Sequence, residues 1–157
     1  MKIVETKIES LLVIEPWVLD DNHGLSLEGW NPSVFAELDL DFEQDNDSRL
    51  THCVVRSLNY QYPNPRGKLM RVTSGRAWDV AIVLRAGLQA CGHWAGFELS
   101  AGNKRMFCHP FGFAHGFLGL EEGADFLCKC NASPPQLMNS PCSGAIPKSI
   151  SNGLCRI

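Results

Sequence analysis

Several features that mark whole classes of protein are missing from this chain of 157 residues. No apolar run approaches the roughly 20 residues that a membrane-crossing helix needs. The net charge of -3 leaves no basic surplus for a nucleic-acid or membrane surface, so neither is an expected partner. The opening MKIVETKIES interrupts its apolar residues with Glu5, Lys7 and Glu9, unlike the continuous apolar core of a secretory signal. No C-x-x-C pair occurs among the seven cysteines, and Cys128-x-Cys130 is too tight for a usual zinc knuckle. With an odd number of cysteines and no export signal, reduced thiols and a cytoplasmic location are expected. No H-x-H pair occurs, and no Asp or Glu follows Asp125.

What is present reads mainly as strands. Apolar residues make up 45% and charged residues 20%, enough for one domain with its own core. Short apolar runs at 2–8 and 11–15 precede longer ones at 52–61, 68–73 and 77–85, rich in Val, Leu, Ile and aromatic residues. More follow at 93–100, 104–109, 115–120 and 124–130. Ser74-Gly75 is a hairpin signal, because glycine supplies positive φ without strain, and 64–67 reads as a turn. One short helix is expected at 31–38, where Asn31 can cap, Pro32 suits the first helical position, and Val34, Phe35 and Leu38 share a face. Many short strands with little helix imply a β-sandwich or β-barrel. Residues 1–130 form the expected domain. Residues 131–157, crowded with Ser, Pro, Asn and Gly, are expected to be irregular and loosely packed or disordered.

Two patterns carry chemistry. In HPFGFAHGF, residues 109–117, a Pro–Gly turn precedes a strand bearing His115, which resembles the second conserved box of the cupin barrels. Metal-binding cupins need an H-x-H pair and a carboxylate in a first box, and His52, seven residues before Asn59, does not supply it. His115 alone is better read as a polar residue lining a cavity than as a metal ligand. The second pattern is longer. IEPWVLDDNHG, FEQDNDSR, VVRSLNYQ, GKLMRVTSG, WDVAIVLR, ELSAGNKR, PFGFAHGF and ADFLCK occur in that order from about Lys2 to Lys129. Together they resemble the dTDP-4-dehydrorhamnose 3,5-epimerase family, the dTDP-4-keto-6-deoxy-sugar isomerases.

The resemblance implies an all-β, cupin-like jelly-roll barrel that uses no metal or other cofactor and works as a homodimer with strand exchange. It implies a dTDP-4-keto-6-deoxy sugar, or dTDP, as partner. The family reaction inverts carbons 3 and 5 of the sugar. The 4-keto group acidifies the neighbouring C–H bonds, a base takes a proton to give an enolate, and an acid returns one on the opposite face. Position by position, Arg56 matches the arginine of the family's L-R-G-L-H-Y-Q block, and its planar fork suits phosphate. Lys68 matches a lysine near the substrate, Gln44 and Asn46 match the Q-D-N block near the nucleotide, and His115 matches the histidine of G-F-A-H-G-F. Glu28 matches a glutamate after the D-E-R-G run, and His23 replaces the arginine of that run.

The two catalytic positions differ from the family. Its base, the histidine of L-H-Y-Q, is here Asn59, and a carboxamide accepts no proton near neutral pH. Its acid, the tyrosine of F-L-Y-K, is here Cys128, a shorter group with a reference pKa of about 8.5. The carboxylate that orients the base comes from farther along the chain in the family, where this sequence has no acidic residue. Further departures are Asp47, Ser57, Val83, Cys108, His109 and Phe111. A positioned acid or base contributes about 10²–10⁴ in rate, so losing both implies weak or lost epimerase activity. Three readings stay open: an isomerase with residual turnover, a non-catalytic sugar-nucleotide binder, and a degenerate copy of the family fold.

Overall fold

The computed structural model describes residues 1–51, 54–61, 65–85 and 89–131. The segment after Asn131, part of the turn at 64–67, and His52 lie outside the described residues. Twelve strands form three sheets. They are β1 (Lys2–Glu5), β2 (Leu12–Glu15), β3 (Val18–Asp21), β4 (Gly24–Leu27), β5 (Gln44–Leu50) and β6 (Val55–Asn59). The second half supplies β7 (Lys68–Ser74), β8 (Arg76–Val83), β9 (Trp94–Ser100), β10 (Met106–His109), β11 (Phe113–Gly119) and β12 (Ala124–Cys130). A six-stranded sheet runs β1-β2-β10-β7-β12-β5 and faces a four-stranded sheet, β6-β11-β8-β9; β3 and β4 make a separate hairpin. Every pairing is antiparallel. This is the all-β, cupin-like fold expected from the pattern of short strands and from the family resemblance. Among the described residues no helix is long and apolar enough to cross a membrane.

Period-2 alternation decides what each strand sends inside. On β7, Met70 and Val72 join the central core while Leu69 faces out; on β10, Phe107 points in while Met106 and Cys108 point out. On β8 the inward set is Ala77, Asp79, Ala81 and Val83, with Val80 and Ile82 on the outer face. The central core of Leu11, Val13, Leu50, Met70, Phe107, Phe113 and Phe126 fills one part of the space between the sheets. The outer face of the six-stranded sheet is covered by residues from 27–42. There Phe35 is buried against Ile14, Leu69 and Met106, and Trp30 meets the Phe42 ring edge-on at 4.6 Å.

Three local expectations need revision. The helix expected at 31–38 is a single turn, a 3₁₀ segment at Ala36–Leu38. Asn31 does not cap it: its side chain accepts from the Ser33 amide at 3.0 Å and its carbonyl from the Phe35 amide at 2.9 Å, closing a turn ahead of the 3₁₀ segment, which starts after Phe35 without a side-chain cap. The turn ends at once at Asp39, whose φ of 48° is left-handed. Ser74-Gly75 does not make a hairpin, because β7 and β8 belong to different sheets. Gly75, at φ 72°, instead turns the chain from one sheet to the other, and a Cβ there would meet the Ala124 Cα at 3.1 Å. Finally, β5 was not foreseen, since QDNDSRL carries one apolar residue. Cross-strand charge pairs hold it to β12: Arg49 forks onto Asp125 at 2.7 and 2.8 Å, and Lys129 meets Asp45 at 2.7 Å, both in direct register.

Candidate functional site

The polar inward positions gather at one end of the barrel. Asn46 and Ser48 come from β5, Arg56 and Asn59 from β6, Lys68 and Met70 from β7, His115 and Phe117 from β11, and Phe126 and Cys128 from β12. With Gln61 they line a cavity of about 330 Å³. That volume lies in the range of small-molecule sites.

A bulge explains how VVRSLNYQ presents two cavity residues three positions apart. Simple alternation would send Arg56 and Asn59 to opposite faces. The register between β11 and β6 shifts, however: His115 opposes Asn59 and Phe117 opposes Arg56, so three steps on β6 match two on β11. The extra residue restores both side chains to the cavity and leaves Leu58 on the outer face, packed with Val80 and Ile82. Gly116 sits beneath the bulge, where a Cβ would lie 2.8 Å from the Arg56 carbonyl oxygen. Only glycine permits so close a backbone approach.

Arg56 and Lys68 give the cavity two cationic groups. Gln44 does not line it but braces the wall: its amide donates to Asn46 Oδ1 at 2.7 Å and its oxygen accepts from buried Arg66 at 3.3 Å. The Asn46 amide in turn donates to Cys130 Sγ at 3.7 Å. Glu28 and His23 are elsewhere. Glu28 borders a second cavity, of about 260 Å³, with Trp17, Leu19 and Phe35. His23 is in the exposed two-residue turn between β3 and β4, its amide donating to Asp21 Oδ1 at 2.7 Å.

The amide of Asn59, which the resemblance sets at the family's base position, donates to the Ser57 carbonyl at 2.7 Å. Cys128, which the resemblance sets at the family's acid position, has its Sγ 3.6 Å from Cys130 Sγ. The shared proton and burial push the Cys128 thiol far up, so it holds its proton, while the same bond, with Lys68 and Arg66 nearby, lowers Cys130 to about 6. Cys91, Cys108, Cys128 and Cys130 are all free thiols.

Behind the wall is a cluster that sequence reasoning did not assemble. His115 Nε2 lies 2.9 Å from Asp79 Oδ1, and the His115 ring stacks on His109 with centroids 4.5 Å apart. The three residues are 3%, 0% and 1% exposed. The 2.9 Å approach is off any good hydrogen-bond direction, and neither atom completes a hydrogen bond. Burial drives the Asp79 carboxyl well above the usual carboxylate range, with the Lys68 charge and the nearby Val80 amide pulling the other way. Burial and then the Lys68 charge hold His115 well below the usual imidazole range; for His109 the His115 ring adds to the burial effect. The signal available in the sequence was Asp79 alone on the apolar inward face of β8. Its partner His109 is on the opposite sheet, which no local spacing reveals.

The sequence signature of the family described as dTDP-4-dehydrorhamnose 3,5-epimerase matches residues 5–138. A protein of that name from Shigella flexneri is 42% identical over 135 residues, covering 83% of this chain and 75% of its own. The crystal structure of a dTDP-6-deoxy-D-glucose-3,5-epimerase from Legionella pneumophila, in complex with dTDP-4-keto-L-rhamnose, is 40% identical with a TM-score of 0.82, covering 85% of this chain and 72% of that one. The dTDP-4-dehydrorhamnose 3,5-epimerase from Bacillus anthracis, with TDP and pyrophosphate bound, is 29% identical with a TM-score of 0.80, covering 93% and 89%. The chain belongs to the dTDP-4-dehydrorhamnose 3,5-epimerase family, whose chemistry is of the isomerase class.

Proposed function

We propose that this member of the family binds a dTDP-4-keto-6-deoxy sugar in the 330 Å³ cavity, and that its 3,5-epimerisation is weak or lost. One observation carries the reading: the same cavity unites cationic groups suited to a diphosphate with Asn59 and Cys128 at the two proton-transfer positions. Arg56 and Lys68 take the diphosphate, while Asn46, braced by Gln44, stands toward the nucleotide. The Legionella relative with its bound keto sugar and the Bacillus relative with TDP support this class of ligand. Epimerisation needs a base to form the enolate and an acid to quench it. Asn59 is no base and donates its amide to the Ser57 carbonyl, and the Cys128 thiol is paired with Cys130 Sγ at 3.6 Å.

The experiment is incubation with dTDP-4-keto-6-deoxyglucose in deuterated water, reading exchange at carbons 3 and 5. The wild-type chain is expected near the enzyme-free rate, and the Asn59→His, Cys128→Tyr double variant at least about tenfold above it. Ready exchange by the wild type would overturn the reading. It would favour a second one, in which His115, 2.9 Å from Asp79 and facing the cavity, serves as base. His115→Asn would then abolish the exchange.

The working form is taken to be a cytoplasmic homodimer. The β3–β4 hairpin carries Trp17 and Leu19, both 76% exposed, and Leu25, a surface suited to a second copy. In such a dimer His23 and Glu28, remote from their own cavity, would serve the partner's. Light scattering at twice the monomer mass is the expected outcome, and a monomer would remove that role.

A further inference from the structure

The cluster behind the cavity wall goes beyond the sugar-binding reading and stands whether or not that reading holds. Of the six buried side-chain polar atoms without a hydrogen-bond partner among the described residues, four belong to it: Asp79 Oδ1 and Oδ2, His109 Nε2 and His115 Nε2. A buried polar atom left without a partner is costly, and four converging on one point call for a shared partner. One potential ligand atom from each residue lies within 4.8 Å of the others. The 2.9 Å separation of His115 Nε2 and Asp79 Oδ1 already matches the edge of a coordination shell with bonds of about 2.1 Å.

We infer that Asp79, His109 and His115 form a binding site for a divalent first-row transition cation. Two imidazoles and one carboxylate are a donor set that such ions accept with positions left open, whereas magnesium or calcium would call for more oxygen. The three residues come from β8, β10 and β11, so both sheets of the barrel hold the site rigidly. His115 belongs to both the cluster and the cavity wall, so the site adjoins the cavity. His109 is the residue that completes the set, and it is one of the positions at which this chain departs from the family pattern. One group opposes a cation: Lys68, directly across the β7–β10 ladder from His109, has a charge that acts on all three residues. The site is therefore tuned weak, and neutralising Lys68 should strengthen it.

The test is titration of the full-length protein, stripped by chelator dialysis, with Co²⁺, followed by visible absorption and calorimetry. One equivalent should bind with weak ligand-field bands and without the intense near-ultraviolet band of thiolate coordination. His109→Leu should weaken binding at least about a hundredfold, more than loss of an outer-shell partner does. Lys68→Met should tighten it about tenfold through removal of like charge. If His109→Leu fails to fold, Asp79→Asn, nearly equal in size, carries the same expected loss. No stoichiometric uptake would overturn the inference and leave the cluster a hydrated polar pocket. Uptake unchanged by His109→Leu, or a thiolate band assigning the ion to Cys128 and Cys130, would overturn it as well.

Discussion

The cavity wall and the cluster behind it are both polar interior of the same barrel, yet they meet opposite physical terms. On the wall, Arg56 and Asn59 reach solvent, and Gln44, Asn46 and Arg66 bond to one another, so polarity there costs little. In the cluster, Asp79, His109 and His115 are closed off from water and four of their atoms have no hydrogen-bond partner. A wall of the first kind is a surface waiting for a polar ligand. A cluster of the second kind lowers stability until something fills it. The difference separates the two proposed roles that share His115: recognition of a sugar nucleotide on one side, capture of a cation on the other.

The most drastic way to break the comparison is to destroy the wall's geometry. Gly116→Val pushes a branched side chain into the Arg56 carbonyl beneath the bulge, and a loss of about 3 kcal/mol in unfolding free energy is expected by denaturant titration. A loss below about 0.5 kcal/mol would mean that the bulge does not aim Arg56 and Asn59 as described. Next comes the wall's charge. Arg56→Ala removes the group proposed to make a forked, charge-assisted contact to phosphate and should weaken dTDP binding about tenfold to a hundredfold in calorimetry. The gentlest change sharpens the other side. In metal-free protein, His109→Leu replaces a buried, unbonded imidazole with an apolar group and should raise stability by about 1 kcal/mol. A fall in stability would show that His109 is satisfied in solution.

Much of this was legible in the residues, for reasons that differ by region. Strands β7 to β12 announce themselves because each has an apolar face to bury, and the turn signals fall between them. The hairpin of β3 and β4 and the polar strand β5 were not legible. The hairpin strands pair only with each other, and β5 is held to β12 by pairing across strands, Arg49 to Asp125 and Lys129 to Asp45, rather than by a pattern within one strand. Ser74-Gly75 looked like a hairpin because its chemistry permits one, but which sheet the next strand joins is a tertiary matter. The cavity residues were nameable from resemblance. What aims Arg56 and Asn59 together, a single extra residue on β6, was not. Asp79 and His109 could not be joined from the sequence because each, taken alone, reads as one polar residue in an apolar strand. Asp79 and His115 share a sheet, on the paired strands β8 and β11, and only the closing of the two sheets brings His109 to them.

The central claim is the proposal that the wall is a nucleotide site with Asn59 and Cys128 at its base and acid positions, and titration with dTDP tests it most directly. The account predicts saturable binding of one dTDP per chain with a dissociation constant tighter than about 1 mM. Binding weaker than that, or heats that never saturate, would contradict it and leave the barrel as a family fold without its ligand.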